Sequence, residues 1–389
     1  MPLAQDEEAL LLDNALTLHR ERTFDVNDLD GLATPFLLID EVILTRNIER
    51  MADYCREHNL ALRPHTKTHK SLEIARRQLA AGAVGLTVAK PGEARVMDET
   101  GASLLIAYPP IIPACLTAIE ELRWRGDIIV ALDSFVAVER LESILSRNGP
   151  GVGALVDIDI GLGRTGVSNP EASTQIAERI VACAELRLDG LFCYPGHITE
   201  LPDEQGEPIA RATEVLRRHL DAWVANGLQA TIVSGGSTPS AYNSHLMTGI
   251  TEVRPGSYVF NDANTLRGRH CLLADCAARI VTTVVSDAVP GQVIVDAGSK
   301  ALARDQCFPQ PVTGYGFVLE YPEARVKSLS EEHGQIDISQ CSRKPRIGER
   351  VSIIPNHICP AVNLTDVMWL RTTGGSLKEL RVDARGMVR

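Results

Sequence analysis

The chain has no run of basic residues, no apolar stretch near the roughly 18 residues a membrane helix requires, and no Cys-x-x-Cys pair. The first absence, together with a formal net charge of −11, argues against a nucleic-acid-binding surface. The second predicts no membrane association. The third, with nine cysteines in 389 residues, argues against a disulfide framework, and Cys55, Cys183, Cys271 and Cys276 read as small core residues. The acidic N-terminus lacks the basic-then-apolar pattern of a secretory signal, so a cytoplasmic protein is expected. No Walker-type phosphate loop is present.

What is present is an ordinary globular composition, 44% hydrophobic and 23% charged, in a chain long enough for two domains. Residues 1–33 mix charge with leucine and read as a peripheral arm. A short strand at 34–40 leads into a helix with Leu44, Ile48, Met51 and Cys55 on one face. Strand patterns then recur at 61–65, 82–89, 103–109, 127–133, 153–160, 188–195, 229–235 and 249–255, with helical patterns between them. One such helix, 170–186, carries the capping box Ser168-x-x-Glu171 with Pro170 in its first turn. Eight strand–helix units predict an α/β fold with a (β/α)8 TIM-type barrel over 34–265. From 266 to 389 the texture changes to β-rich runs at 278–286, 291–296, 314–320, 350–355, 366–372 and 377–382, which predicts a mostly antiparallel β domain.

In such barrels chemistry gathers at the carboxyl ends of the strands. The first strand delivers His65, Lys67 and His69, and the sixth delivers Tyr194 and His197. The seventh and eighth deliver Gly236-Ser237-Thr238 and Gly256-Ser257-Tyr258, the small and hydroxyl residues from which barrel phosphate sites are made. A phosphate cradle beside a strand-end lysine points to pyridoxal phosphate, whose aldehyde requires a lysine Schiff base. The plain alternative for Lys67 is a solvated loop lysine. A metal-dependent hydrolase would place His-x-His at the first strand end, and His65 and His69 are four apart. Asp157 and Asp159 share one face of the fifth strand and read as buried structural carboxylates. In the second domain His357 and Cys359, two apart on an expected strand, can face one cation. By spacing alone that pair is short and common, and reads as a core cysteine beside an unrelated histidine.

The segments TPFLLID, RPHTKTHKS, VDIDIGLGRTGV, EVRPGSYVFND, IVDAG, EEHG and PNHICPAVNLTD, in this order, resemble the D-threonine aldolase and D-serine dehydratase family, whose fold is that of alanine racemase. The resemblance implies a pyridoxal phosphate enzyme, a homodimer with active sites near the subunit interface, and a small D-amino acid substrate. It implies that Lys67 bears the cofactor and that Arg164 and Tyr194 lie against it. Gly236, Ser237, Thr238, Gly256, Ser257 and Tyr258 would line its phosphate end. It also reverses the reading of His357 and Cys359, which become ligands of a divalent cation: zinc, manganese or magnesium. Two reactions occur in the family, retro-aldol cleavage of D-3-hydroxy amino acids and dehydration to a 2-oxo acid and ammonia. Aldolases usually carry His-x-Asp at the metal and dehydratases His-x-Cys, so Cys359 points one way. Pro360, Asn363, Leu364, Asp366 and the run Asp296–Lys300 point the other. The expected activity is aldolase-type cleavage, with His197 as base for the β-hydroxyl proton. A loop histidine contacting phosphate or solvent is the plain alternative for His197. An amino acid racemase or a non-catalytic cofactor-binding protein are readings from other classes.

Overall fold

The computed structural model describes Val26, Leu29 and residues 31–306 and 314–389, so most of the expected arm lies outside the described residues. Strand β1 (Phe36–Asp40) comes first. The described chain forms two compact units, one built from Ile48–Gly256 with Gly386–Arg389, the other from the residues before Ile48 with Ser257–Arg385.

The first unit contains β2 (Ala61–Leu62), β3 (Leu86–Val88), β4 (Leu104–Ile106), β5 (Ile128–Leu132), β6 (Val152–Ile158), β7 (Leu186–Cys193), β8 (Ile232–Gly235) and β9 (Glu252–Val253). Each coincides with one of the eight expected strands. All pairings are parallel, in the order β2-β9-β8-β7-β6-β5-β4-β3. A parallel bridge between His65 and Thr87, with Thr87 N–H donating to Pro64 O at 2.9 Å, joins β2 to β3 and closes the ring. Strands β5 and β6 are buried along their whole length, because helices cover one face and the barrel core the other. That core packs Leu105, Ile129, Ala131, Leu155 and Phe192 together. The expected helix after β6 runs Pro170–Val181, but its cap is Asn169, whose side chain accepts from Glu171 N–H. Pro170 at the first helical position makes the preceding residue the cap, which displaces Ser168 from that role.

The second unit adds β10 (Ala278–Ser286), β11 (Gln292–Val295), β12 (Phe317–Val318), β13 (Arg325–Leu329), β14 (Gly334–Asp337), β15 (Arg350–Ile354), β16 (Val367–Arg371) and β17 (Leu377–Arg381). Strands β10, β11, β14, β13, β12 and β15 close into an antiparallel barrel. Strand β1, expected to open the TIM-type domain, hydrogen-bonds here instead, antiparallel to β10 and parallel to β16. Its five residues are all buried, so it needs a partner on each edge and cover on both faces. Strands β13 and β14 were not expected: RVKSL and GQID are short and charged, and only every second or third residue is buried. Among the described residues no helix is long and apolar enough to cross a membrane.

Candidate active site

Strand β2 ends in a single 3-10 turn, Thr66–Thr68, that presents Lys67. His65 caps it, its Nδ1 accepting from Lys67 N–H at 3.4 Å. The buried Thr66 hydroxyl reaches Thr87 O at 3.1 Å and the Glu93 carboxyl, and the other Glu93 oxygen accepts from Ala89 N–H at 3.1 Å. One buried carboxyl group thus ties the Lys67 turn to the segment leaving β3. His69 is excluded from chemistry: its Nδ1 accepts from Ser71 N–H at 3.1 Å and its Nε2 meets Gln78 at 3.2 Å. Burial pushes His69 down to about 4, so the ring is neutral at pH 7.

Lys67 lines a cavity of about 360 Å³ together with Lys90, Arg164, Arg254, Asp157 and Tyr194. Four cationic side chains therefore face one carboxyl group. Arg254 is buried and fixed by neutral partners, donating to Ser234 Oγ at 2.5 Å and to Cys193 O at 2.7 Å. Its guanidinium lies 3.8 Å from the Phe192 ring centroid. Ser234 in turn donates to Glu252, which holds Arg63 at 2.7 Å. Glu252 thus neutralises Arg63, while Arg254 keeps its charge directed to the cavity, although burial lowers its pKa. Burial, then the neighbouring Lys67, Arg254 and His69, holds His65 well below the ordinary imidazole range. Asp157 is pushed up to about 7, by burial first and by Asp133, against a Thr165 hydrogen bond and the charges of Arg254 and Arg164.

The other expected residues are distributed more widely. Arg164 stacks on Tyr194 at 4.8 Å, as a pair lying against one ligand would. Asp157 and Asp159, expected to act alike, part company: Asp159 lies beyond the end of β6 and accepts from Gly161 and Gly163 N–H, both at 3.0 Å. Gly236 has φ of +80°, open to glycine at little cost. A Cβ on Gly256 would lie 2.9 Å from Thr68 Oγ1, so only glycine fits against the Lys67 turn. Thr238 Oγ1 accepts from Gly256 N–H at 3.2 Å, and Ser237 is buried against Ser240 at 3.0 Å. The turn Ser257–Val259, with Tyr258 buried, belongs to the other unit. His197 does not line the cavity. Its ring packs on Gly161, and its buried Nδ1 makes no hydrogen bond among the described residues.

In the second unit β15 ends at Ile354, and His357 is the N-cap of the helix Ile358–Asn363. His357 and Cys359 are brought together by a helix start rather than by strand alternation. Asp305, which the sequence did not reveal, bonds His357 Nδ1 at 2.6 Å. Asn356 Nδ2 donates to Asp305 O at 3.0 Å and fixes that partner. Burial opposes a charge on His357, but Cys359, Asp262 and Asp305 outweigh it and raise its pKa to about 10. An imidazole, a thiol and the Asp305 carboxylate are of the kind that suits a divalent cation, but their donor atoms do not all lie within 4.8 Å of one another. Elsewhere Glu142, Cys183 and Glu185 converge, but Arg179 engages Glu142.

Comparison with known proteins fits this arrangement. Residues 39–264 match the alanine racemase N-terminal domain, and residues 277–370 match a putative serine dehydratase domain. The 3-hydroxy-D-aspartate aldolase of Paracoccus denitrificans is 30% identical over 382 residues, 93% of this chain and 96% of that one. The chain belongs to the D-threonine aldolase and D-serine dehydratase family, lyases built on the alanine racemase fold. The crystal structure of D-threonine aldolase from Filomicrobium marinum superposes with a TM-score of 0.84 at 31% identity, covering 92% of this chain and 97% of that one. A D-threo-3-hydroxyaspartate dehydratase solved with one cysteine replaced by alanine is described as metal-free. It is 29% identical with a TM-score of 0.83, covering 90% of this chain and 97% of that one.

Proposed function

We propose that the chain is a pyridoxal phosphate- and divalent metal-dependent lyase that cleaves D-3-hydroxy amino acids to glycine and an aldehyde. The observation that carries this reading is a cavity lined by Lys67 and three further cations around a single carboxyl group. Such a donor set fits an anionic aromatic cofactor and an amino acid carboxylate. Lys67 would hold the cofactor, Arg164 and Tyr194 would lie against it, and Gly236, Ser237, Thr238, Gly256, Ser257 and Tyr258 would receive its phosphate. His357 and Cys359 would hold the cation. When bound, the cofactor supplies a sink for electrons at Cα and the cation a Lewis acid for the β-oxygen.

The chain's own residues then have defined tasks. Breaking the Cα–Cβ bond requires that the β-hydroxyl proton leave and that Cα gain one. His197, delivered after β7, is assigned the first; its ring packs on Gly161 and is not part of the cavity lining described above. Lys67 and Asp157, the latter poised near 7, are the groups able to hold the second. Phe192 and Tyr194 give the cavity an aromatic lining. A homodimer is part of this reading, and light scattering of the purified protein measures it.

A second reading, dehydration to a 2-oxo acid and ammonia, is favoured by the thiol at Cys359 and by the metal-free cysteine variant of the related dehydratase. One assay separates the two. Purified protein with cofactor and a divalent cation is given D-threonine: acetaldehyde with glycine supports the aldolase, 2-oxobutanoate with ammonia the dehydratase.

A further inference from the structure

We infer that Lys90, seated on the Tyr108 ring, determines specificity by receiving a carboxylate at the end of the substrate side chain. The preferred substrate is then a D-3-hydroxy amino acid with an acidic side chain rather than an alkyl one. This inference rests on the lyase reading above.

Lys90 Nζ lies 3.1 Å from the centroid of the Tyr108 ring. The ring face attracts the ammonium group but leaves its charge uncompensated. Lys90 makes no ion pair among the described residues, although lysines at a surface are commonly solvated or paired with carboxylates. It is half-buried, lines the cavity and has an extended backbone (φ −144°, ψ 156°) where β3 gives way to the helix Pro91–Met97.

The ring order of the strands says which anion it meets. Tyr108 follows β4, diametrically across the eight-membered ring from β8, which carries Gly236, Ser237 and Thr238. Lys90 follows β3, separated from β8 by β2 and β9. Lys67, on β2, therefore stands between a rim built of glycine and hydroxyl groups and a rim carrying a free ammonium group. A phosphate fits the first rim. A substrate held at Lys67 extends its far end toward the second. Of the other two cations, Arg254 follows β9, on the glycine and hydroxyl side of Lys67, and Arg164 follows β6, three places round the ring from β3. Glu93 links the Thr66 hydroxyl to Ala89 N–H, so the turns bearing the two amines share one anchor.

The test compares kcat/KM for D-threo-3-hydroxyaspartate and D-threonine in the wild type, Lys90→Met and Lys90→Arg. Wild type is expected to prefer the diacid, Lys90→Met to lower the diacid-to-threonine ratio at least about tenfold, and Lys90→Arg to restore much of it. A ratio unmoved by Lys90→Met overturns the inference, as does an equal loss on both substrates, which would assign Lys90 to the α-carboxylate. Turnover of D-threonine without the diacid overturns it while leaving the lyase reading intact. Turnover of no D-3-hydroxy amino acid removes the lyase reading. Binding then decides separately: calorimetry with D-malate and D-lactate should show tighter dicarboxylate binding by wild type, lost in Lys90→Met and in Tyr108→Leu. Equal affinities overturn the inference.

Discussion

The two candidate sites satisfy their charged groups in opposite ways. At the barrel mouth Arg254 is held by a hydroxyl, a carbonyl and an aromatic face, and Lys90 by an aromatic face, so positive charge remains available to a ligand. In the β unit, His357 is already bonded by Asp305 and lies beside Cys359, and the His357 and Asp305 side chains are 42% and 45% exposed. The first site is preorganised for anions. The second holds donors that satisfy one another. An enzyme needing both an anionic cofactor and an exchangeable cation would require this contrast.

The largest expected effect breaks the first site. Lys67→Ala should lower lyase activity by on the order of 10³ and abolish the imine absorption band of the cofactor-loaded protein. Retention of that band would move the attachment to Lys90 or Lys70. Next is Glu252→Ala, which leaves the buried Arg63 charge unpaired and removes the acceptor that orients Ser234 under Arg254. Breaking one partner of a buried pair costs about 3–5 kcal/mol, so the urea midpoint should drop sharply. An unchanged midpoint would show that this network does not hold the cavity floor.

The barrel unit is also expected to be acid-sensitive. Burial lowers His69 and His219 to about 4 each. The unfolded chain takes up their protons below about 6.5, while the folded chain resists. Stability is therefore lost as pH falls from 6.5 towards 4, by roughly 3 kcal/mol per histidine at most. Asp157 acts in the opposite sense, its contribution being lost as pH rises towards 7. The fall in urea midpoint between pH 7 and pH 5 should be smaller in His219→Gln than in wild type, and an undiminished fall would contradict the histidine contribution. The smallest effect concerns the β unit: Asp305→Asn should weaken divalent-cation affinity about 10- to 100-fold, read by competition with a metal indicator. An unaltered affinity would mean that Asp305 merely occupies the imidazole in the metal-free protein.

The eight barrel strands were legible because a parallel strand buried on both faces reads as a near-continuous apolar run, as IIVAL and GALV do. Lys67 was legible from its place at a strand end. Lys90 and Tyr108 occupy the same kind of position after 82–89 and within 103–109, but a single lysine and a single tyrosine carry no flanking pattern to draw attention. Asp305 was hidden because its partner is 52 residues away and no local periodicity records that contact. The pairing of β1 with β10 and β16 was hidden for the same reason: sheet membership is decided by long-range edges, not by neighbours in the chain. His357 and Cys359 were found by a spacing that holds both on a strand and at a helix start.

The central claim, that the amine of residue 67 bears the cofactor, is tested most directly by borohydride reduction of the pyridoxal phosphate-loaded protein and peptide mass mapping. The account predicts one stoichiometric pyridoxyl adduct on Lys67. An adduct on Lys90 or Lys70 with Lys67 unmodified, or no stoichiometric adduct, would contradict it.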